Sequence, residues 1–263
     1  MLQKFEIFDL NWHPTVNERF QDYCKNIPCN LSTYMDSKFF YPSVSNIVGL
    51  PNIGGYSHND FLKLAMHISL KHKSYISLSI VDQYDKKIEK YISSEKVICM
   101  KVHPRFLDLD IFSFDWSFVS DICYRKKIAL GICTYVSPFS LNKLQKTKFA
   151  KIIDQILYHN LKVILFHSFG DDFKWFHKKY AQEKNILFDT SFSIMRCKTE
   201  TLDYYCEALR NGFSNLCFGS DFPDYSLDDH LPVIQYMKKR ITQNQLEKFL
   251  SKNALNFVNG IKL

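Results

Sequence analysis

Val163-Ile164-Leu165-Phe166-His167-Ser168-Phe169-Gly170 is the stretch from which the fold can be read. Four apolar residues without polar alternation form a strand buried on both faces, and an imidazole follows at once. Such strands belong to parallel sheets, whose two faces are both covered. The same shape recurs along the chain. Apolar runs fall at Phe5–Leu10, Asn46–Leu50, Tyr75–Val81, Val97–Val102, Ile128–Thr134, Lys162–Phe166, Ile186–Phe188 and Asn215–Phe218. Helix-like segments lie between them at 15–25, 58–71, 84–93, 114–126, 141–158, 172–182 and 199–211, with two more helices over 228–250. Strand centres are on average about 30 residues apart, the size of one βαβ unit. Eight strands each followed by a helix is the count of a (β/α)8 barrel, here one domain over residues 1–263. A doubly wound open sheet is the competitor, and it would gather its polar residues at one switch point.

The polar residues instead fall at nearly every strand end. Asn11 and His13 follow the first run, Asn52 the second and Asp82 the third. Lys101 and His103 end the fourth, and Cys133-Thr134, His167, Asp189 and Asp221 end the rest. In a barrel all of these C-terminal ends converge on one mouth. Residues 28–44, rich in turn formers, read as an insertion after the first helix, either a rim loop or an inert excursion.

Composition narrows the function classes. With 46% hydrophobic and 23% charged residues the chain is neither disordered, collagenous nor coiled coil. Only 8 glycines are present, and neither GxGxxG nor GxxxxGK[ST] occurs, so no glycine-rich phosphate cradle is expected. The net charge of +7 comes mostly from scattered lysines in small knots such as Lys238-Lys239-Arg240. That pattern reads as solvated helix faces rather than a nucleic-acid surface, and it suits a small anionic substrate. No apolar run approaches membrane-spanning length. The start of the chain lacks a signal-peptide run, no CxxC occurs, and Cys99, Cys133 and Cys217 sit in apolar runs. A reduced, cytoplasmic protein is expected. The aromatic content of 16% is compatible with a homodimer interface and equally with an aromatic helix shell.

Residues two apart on a strand share a face, so Asn11 and His13 can reach one atom, as can Lys101 and His103. A buried Lys101 must be paired or neutralised, by a carboxylate such as Asp9 or Asp221 or by an anionic group. Asp221, after Gly219 and before Pro223, is placed to ligate a metal or to accept a proton.

Phe218-Gly219-Ser220-Asp221-Phe222-Pro223 resembles the eighth-strand signature of the amidohydrolase-related family, a group of metal-dependent barrel hydrolases and decarboxylases. Ile7-Phe8-Asp9-Leu10-Asn11-Trp12-His13 is similar to that family's opening Asp-x-His-x-His. Lys101-Val102-His103-Pro104, Phe166-His167-Ser168-Phe169-Gly170, Asn185–Ser191 and Asn253–Gly260 resemble its later motifs in the same order. Two positions depart from it. Asn11 stands at the first metal-binding His, and Cys133 at the fifth-strand ligand His.

The resemblance implies a divalent metal, zinc foremost, held by His13, Asp221 and His167, with Cys133 and Asn11 as further ligands. Alternatively Cys133 is core packing and the metal affinity is poor or lost. It implies a hydrolase of a small polar substrate, with Asp221 as base for a metal-activated water and His167 orienting that water or polarising the substrate. Lys101, His103 and Arg196 would hold an anionic end. A lyase or decarboxylase on the same scaffold, or a non-catalytic barrel that binds a ligand or partner, are the alternatives.

Overall fold

The computed structural model describes residues 4–14, 19–20, 27–28, 30–50, 56–80, 86–92, 94–104, 110–135 and 140–261. Eight parallel strands follow one another in chain order: β1 Phe5–Trp12, β2 Phe40–Val48, β3 Ser74–Ser79, β4 Val97–Val102, β5 Ala129–Cys133, β6 Val163–Phe166, β7 Ile186–Asp189 and β8 Leu216–Cys217. The first and last strands then meet. Leu10 N donates to Phe218 O (3.4 Å), Asp221 N to Asn11 O (2.9 Å) and His13 N to Phe222 O (2.9 Å). With a parallel bridge between Trp12 and Phe222, the sheet closes into the expected (β/α)8 barrel.

Over the apolar runs the strands are buried on both faces, which is why those runs lack alternation. On β6, Ile164 and Phe166 join an inner cluster with Phe8, Val48 and Leu187, while Val163 and Leu165 join the layer beneath the helices. Ala254, Phe257 and Val258 of the helix Asn253–Asn259 belong to the inner cluster. The outer helices are amphipathic. His58–Lys71, capped by Ser57, buries Phe61, Ala65 and Ile68 at helical spacing. No helix among the described residues is long and apolar enough to cross a membrane.

Two local expectations need correction. The second strand begins at Phe40, so it and the helix Leu31–Met35 occupy most of the expected insertion. Its first half alternates, with Phe40 and Pro42 buried and Tyr41 exposed, and so escapes a search for continuous apolar runs. Of the expected helix 15–25 only Arg19–Phe20 is among the described residues, and it pairs antiparallel with Ile27–Pro28. The strand-end residues Asn52 and Asp82 lie outside the described residues.

The seam between β1 and β8 is fastened by Asp9. Its fully buried carboxylate accepts from Ser220 N (2.8 Å), Asn11 N (3.2 Å), Ser220 Oγ (2.5 Å) and Tyr34 OH (3.0 Å). Tyr34, on the helix Leu31–Met35, also stacks on Trp12 at a centroid distance of 4.0 Å. Asp9→Ala strands several buried donors, each worth about 1–3 kcal/mol. Urea unfolding is expected to show a loss of at least about 3 kcal/mol for Asp9→Ala and about 1 kcal/mol for Tyr34→Phe. A loss under 1 kcal/mol in Asp9→Ala (about the value of one hydrogen bond) contradicts this role.

Candidate active site

Closing the seam carries Asn11 into the barrel mouth. Its Nδ2 donates to Asp221 Oδ1 (2.5 Å) and to Ser191 Oγ (2.9 Å), and its Oδ1 accepts from Lys101 Nζ (3.2 Å). The two charged neighbours fix the amide orientation. A lysine ammonium can only donate and an ionised carboxylate only accept, so the reverse orientation would lose both bonds. Lys101 is fully buried and lies over the Phe166 ring, 4.0 Å from its centroid. Gly131 makes that arrangement feasible, because a Cβ there would stand 2.8 Å from Phe166 and 3.2 Å from Lys101 Cα. The expected pairing of Lys101 with a carboxylate is thus replaced by one with Asn11. Asp9 is engaged at the seam, and Asp221 is reached through the amide.

Each mouth histidine has its tautomer set by a carbonyl. His13 Nδ1 faces Val48 O at 3.0 Å and His167 Nδ1 faces Ser191 O at 2.9 Å, so each Nδ1 carries the proton when the ring is neutral. Each Nε2 then presents a lone pair. His13 Nε2 stands 3.4 Å from Asp221 Oδ1, longer than an ordinary hydrogen bond, so two acceptors are apposed there. Burial lowers the pKa of His13, opposed by Asp221, and pulls that of His167 down to about 4. Burial alone would raise Asp221, but the imidazolium that a proton on His167 or His13 would create, and the charge of Lys101, hold it below the usual carboxylate range. Burial likewise lowers Lys101, while Cys133, Asp221 and Asp189 push it back up.

The sequence did not single out Ser191, which joins the parts. Its hydroxyl donates to Asp189 Oδ2 and accepts from Asn11, and its carbonyl receives His167. Its backbone N–H also reaches Asp189 Oδ1 at 3.2 Å. The available signal was its place two residues beyond Asp189. Gly219 is required here, since a Cβ would lie 2.2 Å from Asp189 Oδ1. Three strand ends at the mouth hold left-handed backbone: His167, Ser168 and Phe169 after β6, Phe192 after β7, and Asp221 after β8. Such conformations persist only when neighbours over-determine them. Thr134 Oγ1 ties β5 to Phe166 O (2.7 Å) and accepts from Phe169 N (2.7 Å), while Ser168 Oγ donates to Asp189 O (2.6 Å).

The remaining sequence candidates divide between depth and rim. Cys133 ends β5, buried near Lys101, and His103 is buried just beyond β4. Arg196 is exposed. It donates to Tyr225 OH (2.9 Å) and lies over the Phe192 ring, which packs edge-on against His167.

No protein-family model and no curated protein matches this chain. Solved structures do. An uncharacterised TIM-barrel protein from Bordetella bronchiseptica superposes with a TM-score of 0.76 at 13% identity, over 98% of this chain and 100% of that one. Dihydroorotase from Campylobacter jejuni gives 0.67 at 17%, over 96% and 83%. 5-Carboxyvanillate decarboxylase from Sphingomonas paucimobilis gives 0.60 at 13%, over 97% and 99%. The shared fold is the TIM barrel.

The metal implied by the sequence resemblance can be tested against the donors. Asn11 aims an N–H, not a lone pair, at Asp221, and its oxygen is engaged by Lys101. Among the described residues no group of three or more His, Cys, Asp or Glu side chains is placed to hold a metal ion. In this arrangement the donor set does not fit a divalent ion.

Burial pushes the Asp189 carboxyl up to about 7, against the hydrogen bonds from Ser191 and the charge of Lys101. The folded state therefore keeps a proton that the unfolded chain releases from about pH 4 upward. Stability from this group is complete below about pH 4 and is lost as the pH rises to about 7, by up to roughly 1.4 kcal/mol per pH unit. Unfolding of the wild type and Asp189→Asn across this range should show their difference changing within the window and level above it. A difference flat throughout contradicts the shift.

Proposed function

We propose that this barrel is a hydrolase of a small polar or anionic molecule, with His13 and Asp221 acting together as the base at its mouth. The observation that carries the reading is the apposition of His13 Nε2 and Asp221 Oδ1 at 3.4 Å, with Val48 O beside the other ring nitrogen. A proton delivered there converts two facing lone pairs into a charge-assisted hydrogen bond, with Val48 O already holding the other ring nitrogen. Water bound against the pair loses that proton as its oxygen attacks an acyl carbon, and the proton later passes to the leaving group. Asn11 orients the carboxylate. His167, neutral at physiological pH and held at Nδ1 by Ser191 O, would offer its Nε2 to a substrate hydroxyl. Arg196, exposed at the rim, would receive an anionic end of the substrate, with Lys101 and His103 supplying the polar floor below. The scaffold also suits decarboxylation, a reading supported by the likeness to 5-carboxyvanillate decarboxylase.

A panel of small lactones, cyclic amides, esters and aromatic carboxylates tests the proposal. At least one acyl compound should turn over. On it Asp221→Asn and His13→Ala should each lower kcat at least about 100-fold, the lower range for a positioned acid–base group, with circular dichroism unchanged. Arg196→Ala should raise KM for anionic substrates and leave kcat alone. Wild-type rates in Asp221→Asn, or turnover of carboxylates only, would overturn the hydrolytic reading.

A further inference from the structure

We infer that the resident cation of this barrel mouth is the Lys101 ammonium, coupled to Asp221 through the Asn11 amide, and that this link occupies the place a divalent metal would take. The proposal concerns the site described above but does not depend on its reaction or substrate.

Three observations converge on it. Lys101 is fully buried, yet among the described residues it makes no ion pair with a carboxylate; its bond is to a neutral amide oxygen at 3.2 Å. A buried ammonium needs negative charge nearby, and Asp221 and Asp189 provide it at one remove. The Phe166 ring face at 4.0 Å receives another side of the ammonium. Second, Asn11 can relay this charge in one orientation only. Its oxygen faces the cation, and its two amide hydrogens face Asp221 Oδ1 and Ser191 Oγ. Ser191 continues the line by donating to Asp189. Lys101, Asn11, Asp221, Ser191 and Asp189 are thus joined in one network by donor-to-acceptor links through Asn11 and Ser191.

Third, the network competes with a metal. A divalent ion at Asp221 Oδ1 would displace the Asn11 amide from a 2.5 Å hydrogen bond and leave Lys101 without its oxygen acceptor. It would also bring two positive charges beside a third in a medium of low dielectric. An imidazole at position 11 behaves differently, because a ring nitrogen can offer a lone pair where the amide offers N–H. The departure of Asn11 from the resembled pattern therefore changes which cation the site holds.

The test is metal retention, which needs no substrate. Wild type, Asn11→His and the double variant Asn11→His/Asp221→Asn are incubated with excess ZnCl2, desalted and analysed for elemental zinc. Asp221→Asn alone gives the background from surface thiols and histidines. Wild type is expected to match that background. Asn11→His should exceed it at least tenfold, approaching one equivalent, and the double variant should fall back. A zinc-dependent rise in melting temperature should follow the same order. One equivalent in the wild type that Asp221→Asn loses would overturn the proposal, as would no gain in folded Asn11→His. Should Asn11→His fail to fold, the comparison of wild type with Asp221→Asn still decides.

Discussion

The buried carboxylate of Asp9 is the constraint on which the rest of the barrel depends. A sheet of eight strands closes only if its first and last members are held edge to edge, and β8 is short, Leu216–Cys217. The chain beyond it, Phe218 to Phe222, completes the seam through three backbone hydrogen bonds and the four donors gathered on Asp9. Burying a carboxylate is costly, and desolvation does raise the pKa of Asp9 against its hydrogen bonds. The cost is offset by those four donors, two of which, from Ser220, reach it across the seam. Asn11, His13 and Asp221 are seam residues too, so closing the barrel assembles the site.

Charges within the mouth are kept by one another rather than by water. Lys101, Asp221 and Asp189 are buried, and none stands alone. The Lys101 charge favours ionised Asp221, whereas burial pushes the Asp189 carboxyl, held by Ser191 against Gly219, up to about 7. Environment separates the two carboxyls: one remains an anion that can receive a proton, and the other serves as a partly protonated support.

Much of this was legible in the sequence. The two-faced burial of strands such as Val163–Phe166 left apolar runs without alternation, and their regular spacing gave strand number and order. Residues at strand ends converged because parallel closure leaves them no other place. Gly219 and Asp221 were readable for the same reason. Tyr34 and Ser220 were not, because their importance comes from a long-range contact with Asp9 that no local period encodes. Nor was the partner of Lys101. Sequence reasoning sought a carboxylate for it, whereas an amide carries the coupling, and only geometry shows which end of Asn11 faces which charge. The early start of β2 was missed because alternation there reflects one exposed side chain, Tyr41, on an otherwise buried strand.

Lysine-selective 15N labelling tests the assignment of Lys101 as the resident cation most directly. At neutral pH the Lys101 Nζ resonance should be of ammonium type, with protons protected from exchange and a nuclear Overhauser contact to the Asn11 side chain. Stoichiometric zinc should leave it unmoved. An amine-type resonance, or one that shifts or broadens with one equivalent of zinc, would contradict the assignment.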